Sequence, residues 1–222
     1  MAEQLRFDWP VRVALGREDF FVSDANARAF AMVTAPESWP EGKLAVVGPE
    51  GCGKTHLARV FAQANNGLIL NAGEIEPDAP LPDQRCVVVE DMEQLPEASE
   101  EWMFHLHNAL RGKGFLLFTS STSPSRWKIS LADLASRMQA ANTVEIDDPD
   151  DRLLAAVIMK QFQDRQILPS PGLAGYLAAR IERSFAIAAR VVEVLDEAAL
   201  KDQRRVNETL ARQVLDNLPQ EE

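Results

Sequence analysis

Cysteine is scarce in this chain. Two occur in 222 residues, Cys52 inside a glycine-rich loop and Cys86 inside an apolar run. Neither reads as a disulfide partner, which fits a reducing compartment, so a cytoplasmic protein is expected. Positive charge is also in deficit. Lys and Arg total 23 against 34 Asp and Glu, a formal net charge of −11 with a sequence pI near 4.8. Direct DNA binding needs a basic surface that displaces counterions from phosphates, and none is expected here. No apolar run approaches the length of a membrane span, and the N-terminus lacks a basic-then-apolar signal pattern, so no membrane role is expected. There is no internal repeat. What remains is an ordinary globular composition, long enough for one medium domain and a small one.

What the chain does have is Gly48-Pro49-Glu50-Gly51-Cys52-Gly53-Lys54-Thr55. This fits G-x-x-x-x-G-K-[ST], a phosphate-binding loop. Glycine lets the backbone take conformations that a Cβ would block and brings N–H groups close to an anion. Lys54 offers a positive charge to the β- and γ-phosphates, and Thr55 a hydroxyl to Mg²⁺. The flanks agree. Lys43 to Val47 is a short apolar strand, and His56 opens a stretch with Leu57, Val60 and Phe61 at helical spacing. A helix N-terminus favours negative charge, so Gly48 through His56 are expected to bind ADP or ATP.

Upstream, Gln4, Leu5 and Phe7 belong to a short segment bounded by Pro10. They read either as an arm laid on the domain or as a linear docking peptide for a partner's groove. Phe20, Phe21 and Val22 precede a helix expected from about residue 25 to 33, with Ser23 or Asp24 as N-cap. These three residues line an adenine pocket or pack in the core. Both readings stay open.

Downstream, residues 67–72 form a second strand, and Cys86-Val87-Val88-Val89 a third, ending in Glu90 and Asp91. Continuous apolar strands are buried on both faces, as in a parallel sheet. Acids at the carboxyl end of such a strand belong beside the phosphate loop. Glu90 is expected to hold Mg²⁺ through water, and Asp91 to orient the attacking water. A helix over 100–110 leads to a strand over 115–121, which places Ser121 near the γ-phosphate. A short helix over 131–137 carries Arg137, and residues 143–146 are a last strand. The first domain, 11–147, is therefore read as a three-layer α/β sandwich on a mainly parallel sheet. Composition changes at Asp147-Asp148-Pro149-Asp150-Asp151, and helices are expected near 150–165, 171–182, 185–200 and 206–217. Residues 148–222 are read as a small all-helical lid. Leu153, Leu154, Val157 and Ile158 make one apolar stripe, and Val191, Val194, Leu195 and Ala198 another.

Phosphate loop, acid-ended strand, hydroxyl-ended strand, late arginine and helical lid follow one another as in AAA+ ATPases. Within these the chain most resembles the DnaA family of replication initiators and its short Hda-type members. Phe104-His105-Leu106-His107-Asn108-Ala109-Leu110 is similar to a Phe-His-x-x-Asn-Ala-Leu helix of DnaA. Leu131-Ala132-Asp133-Leu134-Ala135-Ser136-Arg137 is similar to the Hda arginine-finger segment, and Gln4-Leu5-Arg6-Phe7-Asp8 to the Hda sliding-clamp peptide. The chain ends at Glu222 without a DnaA-type helix-turn-helix domain and is acidic, which favours the Hda type. The resemblance implies a regulator of replication initiation. Residues 1–10 would dock on the DNA polymerase sliding clamp, and Arg137 would act in trans on DnaA-bound ATP.

Two positions depart from the family pattern. Glu90 stands where the family usually has Asp. Ala186 stands where the lid usually carries a phosphate-touching Arg, with Arg183 and Arg190 a turn to either side on about the same helix face. Weak or no intrinsic hydrolysis is the expectation, with a bound nucleotide that is not turned over. A self-contained AAA+ loader or remodeller and a nucleotide-independent adaptor are the competing functions. A homodimer stays open.

Overall fold

A computed structural model describes residues 20–202 and 204–217. Gln4, Leu5 and Phe7 lie outside them. The described residues fall into two compact units that divide between Asp147 and Asp148.

The first unit is built on five parallel strands: β1 Lys43–Val47, β2 Leu68–Asn71, β3 Cys86–Glu90, β4 Phe115–Ser120 and β5 Asn142–Glu145, in the order β2-β3-β4-β1-β5. Every residue of β1 is buried, as an interior strand with two paired neighbours requires. Its last residue, Val47, lies opposite Ser120 of β4 and Glu145 of β5.

Four helices cover this sheet: α1 Ala27–Val33, α2 Lys54–Asn65, α3 Glu100–Leu110 and α4 Ala132–Gln139. Alternate strand residues point to opposite faces. Ala45, Val87, Val89, Leu116 and Phe118 join Trp102, Met103 and Leu106 of α3 and Leu134 and Met138 of α4 in one buried cluster. On α2, Leu57, Val60 and Phe61 are buried against β3 and β4, with α1 alongside. The crossover after β1 carries α2 back past β4 and β3. The crossover after β4 carries α4 forward past β1. Right-handed crossovers in opposite directions lie on opposite faces. The carboxyl ends of the adjacent strands β1 and β4 therefore border a crevice, where sheets of this kind hold ligands.

The second unit contains α5 Asp151–Asp164, α6 Leu173–Ala178, α7 Phe185–Asp202 and α8 Glu208–Asn217, with no strand among its described residues. Asp150 caps α5 by accepting the Leu153 N–H at 2.8 Å. Leu154, Ile158 and Phe162 of α5 pack with Leu177, Val191, Val192, Leu195, Leu210 and Val214. Burying each of these larger side chains contributes about 1.5–3 kcal/mol.

Three local expectations need correction. The helix expected from residue 25 begins at Ala27, and its N-cap is Asn26 rather than Ser23 or Asp24. Asn26 is buried, and its amide serves the loop instead, accepting from Ser23 N and donating to Phe21 O. The chain between α6 and α7 is longer than expected. Arg183 therefore lies in a bend ahead of α7 and does not share a helix face with Arg190. The third strand stops at Glu90, because Asp91 turns into the left-handed region at φ 56°.

Candidate nucleotide site

The glycine loop leaves β1 and delivers the chain to the N-terminus of α2. Gly51 and Gly53 have φ of 79° and 102°, which only glycine adopts without strain. Gly48 is needed for closeness. A Cβ there would meet Cys52 Sγ at 2.8 Å and Ile146 Cβ at 3.1 Å. The Gly48 N–H donates to Ser120 O at 3.2 Å, which ties the loop to the end of β4. The first-turn N–H groups of α2 have no intrahelical acceptor, and no side chain caps them. Lys54 Nζ donates to Gly48 O at 2.8 Å and Pro49 O at 2.9 Å, folding its charge over the loop. Glu50 and Thr55 are exposed, and Cys52 is buried. Burial pushes the Cys52 thiol up, against the pull of Lys54, so it is a packing group and not a nucleophile. These features fit a phosphate: paired glycines, open N–H groups at a helix start and an ammonium donor held on the same loop.

Of the adenine-pocket candidates, Phe20 reaches the loop. Its ring would lie 3.3 Å from a Cβ on Gly53, stacks on Phe30 at 5.4 Å and meets His56 edge-on at 5.2 Å. Phe21 is half-buried and Val22 is exposed.

The acids lie at the ends of β3 and its turn. Asp91 accepts from Asn71 Nδ2 at 3.3 Å, and its N–H donates to Thr119 Oγ1 at 3.3 Å. Asn71 of β2 thus holds the carboxylate, and Thr119 of β4 anchors the backbone of the same residue. Glu90 Oε1 is buried without a hydrogen-bond partner among the described residues. A buried carboxylate oxygen with no donor suits a cation or its water, so the Glu90 carboxylate fits Mg²⁺ chemically.

Ser121, just past β4, donates its backbone N–H to Glu93 Oε1 at 2.7 Å, and its hydroxyl donates to the same oxygen. Burial pushes the Glu93 carboxyl up. The side-chain and backbone hydrogen bonds from Ser121 outweigh this and hold it below the usual carboxylate range. Neither Glu93 nor Asn71 was singled out from sequence. Glu93 lies two residues past Asp91 and Asn71 ends the second strand, and only strand pairing reveals what each faces.

Arg137 lies on α4 and donates to Asn108 Oδ1 of α3, with its guanidinium 4.4 Å from the centroid of the Phe104 ring. It makes no ion pair among the described residues. Asp133, four residues back on α4, is not its partner. The start of α4 is set from α3 as well. The buried Glu100 carboxylate accepts the Ser130 N–H at 2.8 Å and the Leu131 N–H at 2.7 Å. In the helical unit Arg183 pairs with Asp151 at 2.8 Å and Arg190 with Glu193 at 2.9 Å, all four side chains exposed.

No family model matches the chain, and no curated protein matches it. Solved structures do. Domain III of the replication initiation protein DnaA from Thermotoga maritima superimposes with a TM-score of 0.72 over 94% of this chain and 98% of that one, at 16% identity. This is the AAA+ fold. The AAA+ likeness extends to the Thermotoga maritima RuvB Holliday junction branch migration motor, at a TM-score of 0.62 and 16% identity, over 91% of this chain and 72% of RuvB. It includes the replication initiator DnaA bound to AMPPCP and single-stranded DNA, at 0.61 and 16%, over 84% of this chain and 67% of that one. The glycine loop follows β1, Glu90 and Asp91 end β3 and its turn, and Ser121 follows β4, so all lie at the carboxyl end of the parallel sheet. Among the described residues, no helix is long and apolar enough to cross a membrane.

Proposed function

We propose that the chain is a nucleotide-binding regulator of replication initiation that activates the ATPase of DnaA. It binds ADP or ATP with Mg²⁺ through Gly48 to His56, Thr55 and Glu90, with the base against Phe20. It docks on the sliding clamp through Gln4, Leu5 and Phe7, and lends Arg137 to ATP held by DnaA. The observation that carries this reading is the setting of Arg137. Arginine is favoured where an ion pair fixes a buried or interface position. This one is held by a neutral amide and an aromatic face, which orient the guanidinium and leave its charge uncancelled. Such a group suits charge developing on a transferring phosphoryl oxygen outside its own chain.

The competing reading, an ATPase acting alone, is favoured by one feature: Asn71 holds the Asp91 carboxylate at the carboxyl end of the sheet, and Thr119 anchors the Asp91 N–H. The deciding experiment measures hydrolysis of DnaA-bound ATP on clamp-loaded DNA with and without this chain. Stimulation supports the regulator. Turnover by the chain alone, with none added to DnaA, supports the second reading.

A further inference from the structure

The carboxyl end of β4 holds an arrangement that the regulator reading does not use. Glu93 follows β3 by three residues, in the short turn 92–94, and reaches across to Ser121. Both donors of Ser121, the backbone N–H and the hydroxyl, are directed at one oxygen, Glu93 Oε1. A serine hydroxyl has a single proton, so while this bond holds, Ser121 has none for another acceptor. The second oxygen, Glu93 Oε2, is buried without a hydrogen-bond partner among the described residues. The neighbouring residue is anchored elsewhere. Ser120 Oγ donates to Thr122 O at 2.8 Å and accepts from Trp127 Nε1 at 2.9 Å, while Ser120 O accepts the Gly48 N–H of the phosphate loop. Ser121 is therefore one residue beyond a direct link to the loop, with its position fixed and its donors spent.

We infer that Glu93 is a specificity-determining residue that withholds the Ser121 hydroxyl from a nucleotide's terminal phosphate, so that the site prefers a nucleoside diphosphate to a triphosphate. The inference rests on the nucleotide-binding reading of the glycine loop. A diphosphate is satisfied by the loop N–H groups, Lys54 and the cation. A triphosphate brings additional negative charge toward the end of β4. There it meets an ionised carboxylate and a serine with no proton to give, and like charges at short range repel. To accept it, Ser121 must leave Glu93, and the carboxylate then loses two of its donors inside a partly buried site. Weak intrinsic turnover follows from the same contact.

The test is calorimetric titration of the full-length chain with ADP and with AMPPCP, each with Mg²⁺, for wild type, Glu93→Ala, Glu93→Gln and the double variant Glu93→Ala/Ser121→Ala. In Glu93→Ala the AMPPCP affinity relative to ADP is expected to rise about ten- to a hundredfold, the scale of one hydrogen bond involving a charged group. Glu93→Gln keeps the acceptor and removes the charge, and is expected to move the ratio the same way by less. It also decides the matter if the alanine variant does not fold. The double variant is expected to lose most of the gain, because the gain comes from the released Ser121 hydroxyl. A merely structural Glu93 would lower both affinities together. An affinity ratio within about twofold of wild type in both single variants, with ADP binding intact, overturns the inference. Failure of the wild type to bind ADP overturns instead the nucleotide-binding reading beneath it.

Discussion

Arg137 on α4 and Asn108 on α3 are joined by a side-chain hydrogen bond, with the guanidinium lying over the ring of Phe104 one turn earlier on α3. Phe104 and Asn108 are four residues apart and so share a helix face. Together they aim a charge without neutralising it. Asn108→Ala removes the acceptor and leaves the ring. A hydrogen bond from a charged donor contributes about 1.5–3 kcal/mol, so stimulation of DnaA is expected to fall about ten- to a hundredfold. ADP affinity is expected to stay at the wild-type value. Unchanged stimulation would mean that the ring alone orients the arginine.

Lys54 holds two loop carbonyls and would exchange them for phosphate oxygens. Lys54→Ala is expected to weaken ADP binding by at least about tenfold, the cost of one charge-assisted hydrogen bond. The melting temperature without nucleotide is expected to change little, because these bonds are part-exposed. Equal ADP affinity in titration calorimetry would remove the loop from the nucleotide site.

His107 on α3 is buried, with Nδ1 lacking a hydrogen-bond partner among the described residues. Burial, then the positive charges of Lys43 and Arg137, lower its pKa from 6.5 to about 4. A depressed histidine pKa means that the unfolded chain binds the proton more tightly. Stability from this group is therefore complete above pH 6.5 and is lost as pH falls toward 4. His107→Leu is expected to flatten the denaturation midpoint across that window relative to wild type. An identical slope in both proteins would show that His107 titrates normally.

Gln4, Leu5 and Phe7 are proposed to dock on the clamp because their segment resembles the Hda sliding-clamp peptide. Burying a leucine and a phenylalanine in a groove gains about 1.5–3 kcal/mol each before ordering costs. Leu5→Ala/Phe7→Ala is expected to abolish retention on immobilised sliding clamp while ADP binding persists. Retention of the doubly substituted chain would leave the segment as a packed arm.

Much of this fold is legible in the sequence because its signals are local. The apolar run Cys86 to Val89, the loop from Gly48 to Thr55 and the helix over 100–110 each announce themselves within a dozen residues. What is not legible depends on which strand lies beside which. Glu93 looks like a solvated turn residue until the pairing of β3 with β4 sets it against Ser121. Asn71 looks like a strand end until β2 lies beside β3. For Arg137 the local rule points to Asp133, four residues back, whereas tertiary packing supplies Asn108 from another helix. At Asn26 a buried side chain stitches a loop, so the capping signals at Ser23 and Asp24 mark the wrong residue.

The central claim is that Arg137 serves an ATP molecule outside this chain. The direct measurement is hydrolysis of DnaA-bound ATP on clamp-loaded DNA in the presence of wild type, Arg137→Ala or Arg137→Lys. A trans arginine supplies on the order of a thousandfold or more in turnover, while a surface pair supplies none. Arg137→Ala is therefore expected to fold, bind ADP and bind the clamp as wild type does, yet to leave DnaA at its basal rate. Lysine is expected to restore only part, lacking the planar fork. Equal stimulation by wild type and Arg137→Ala would contradict the account.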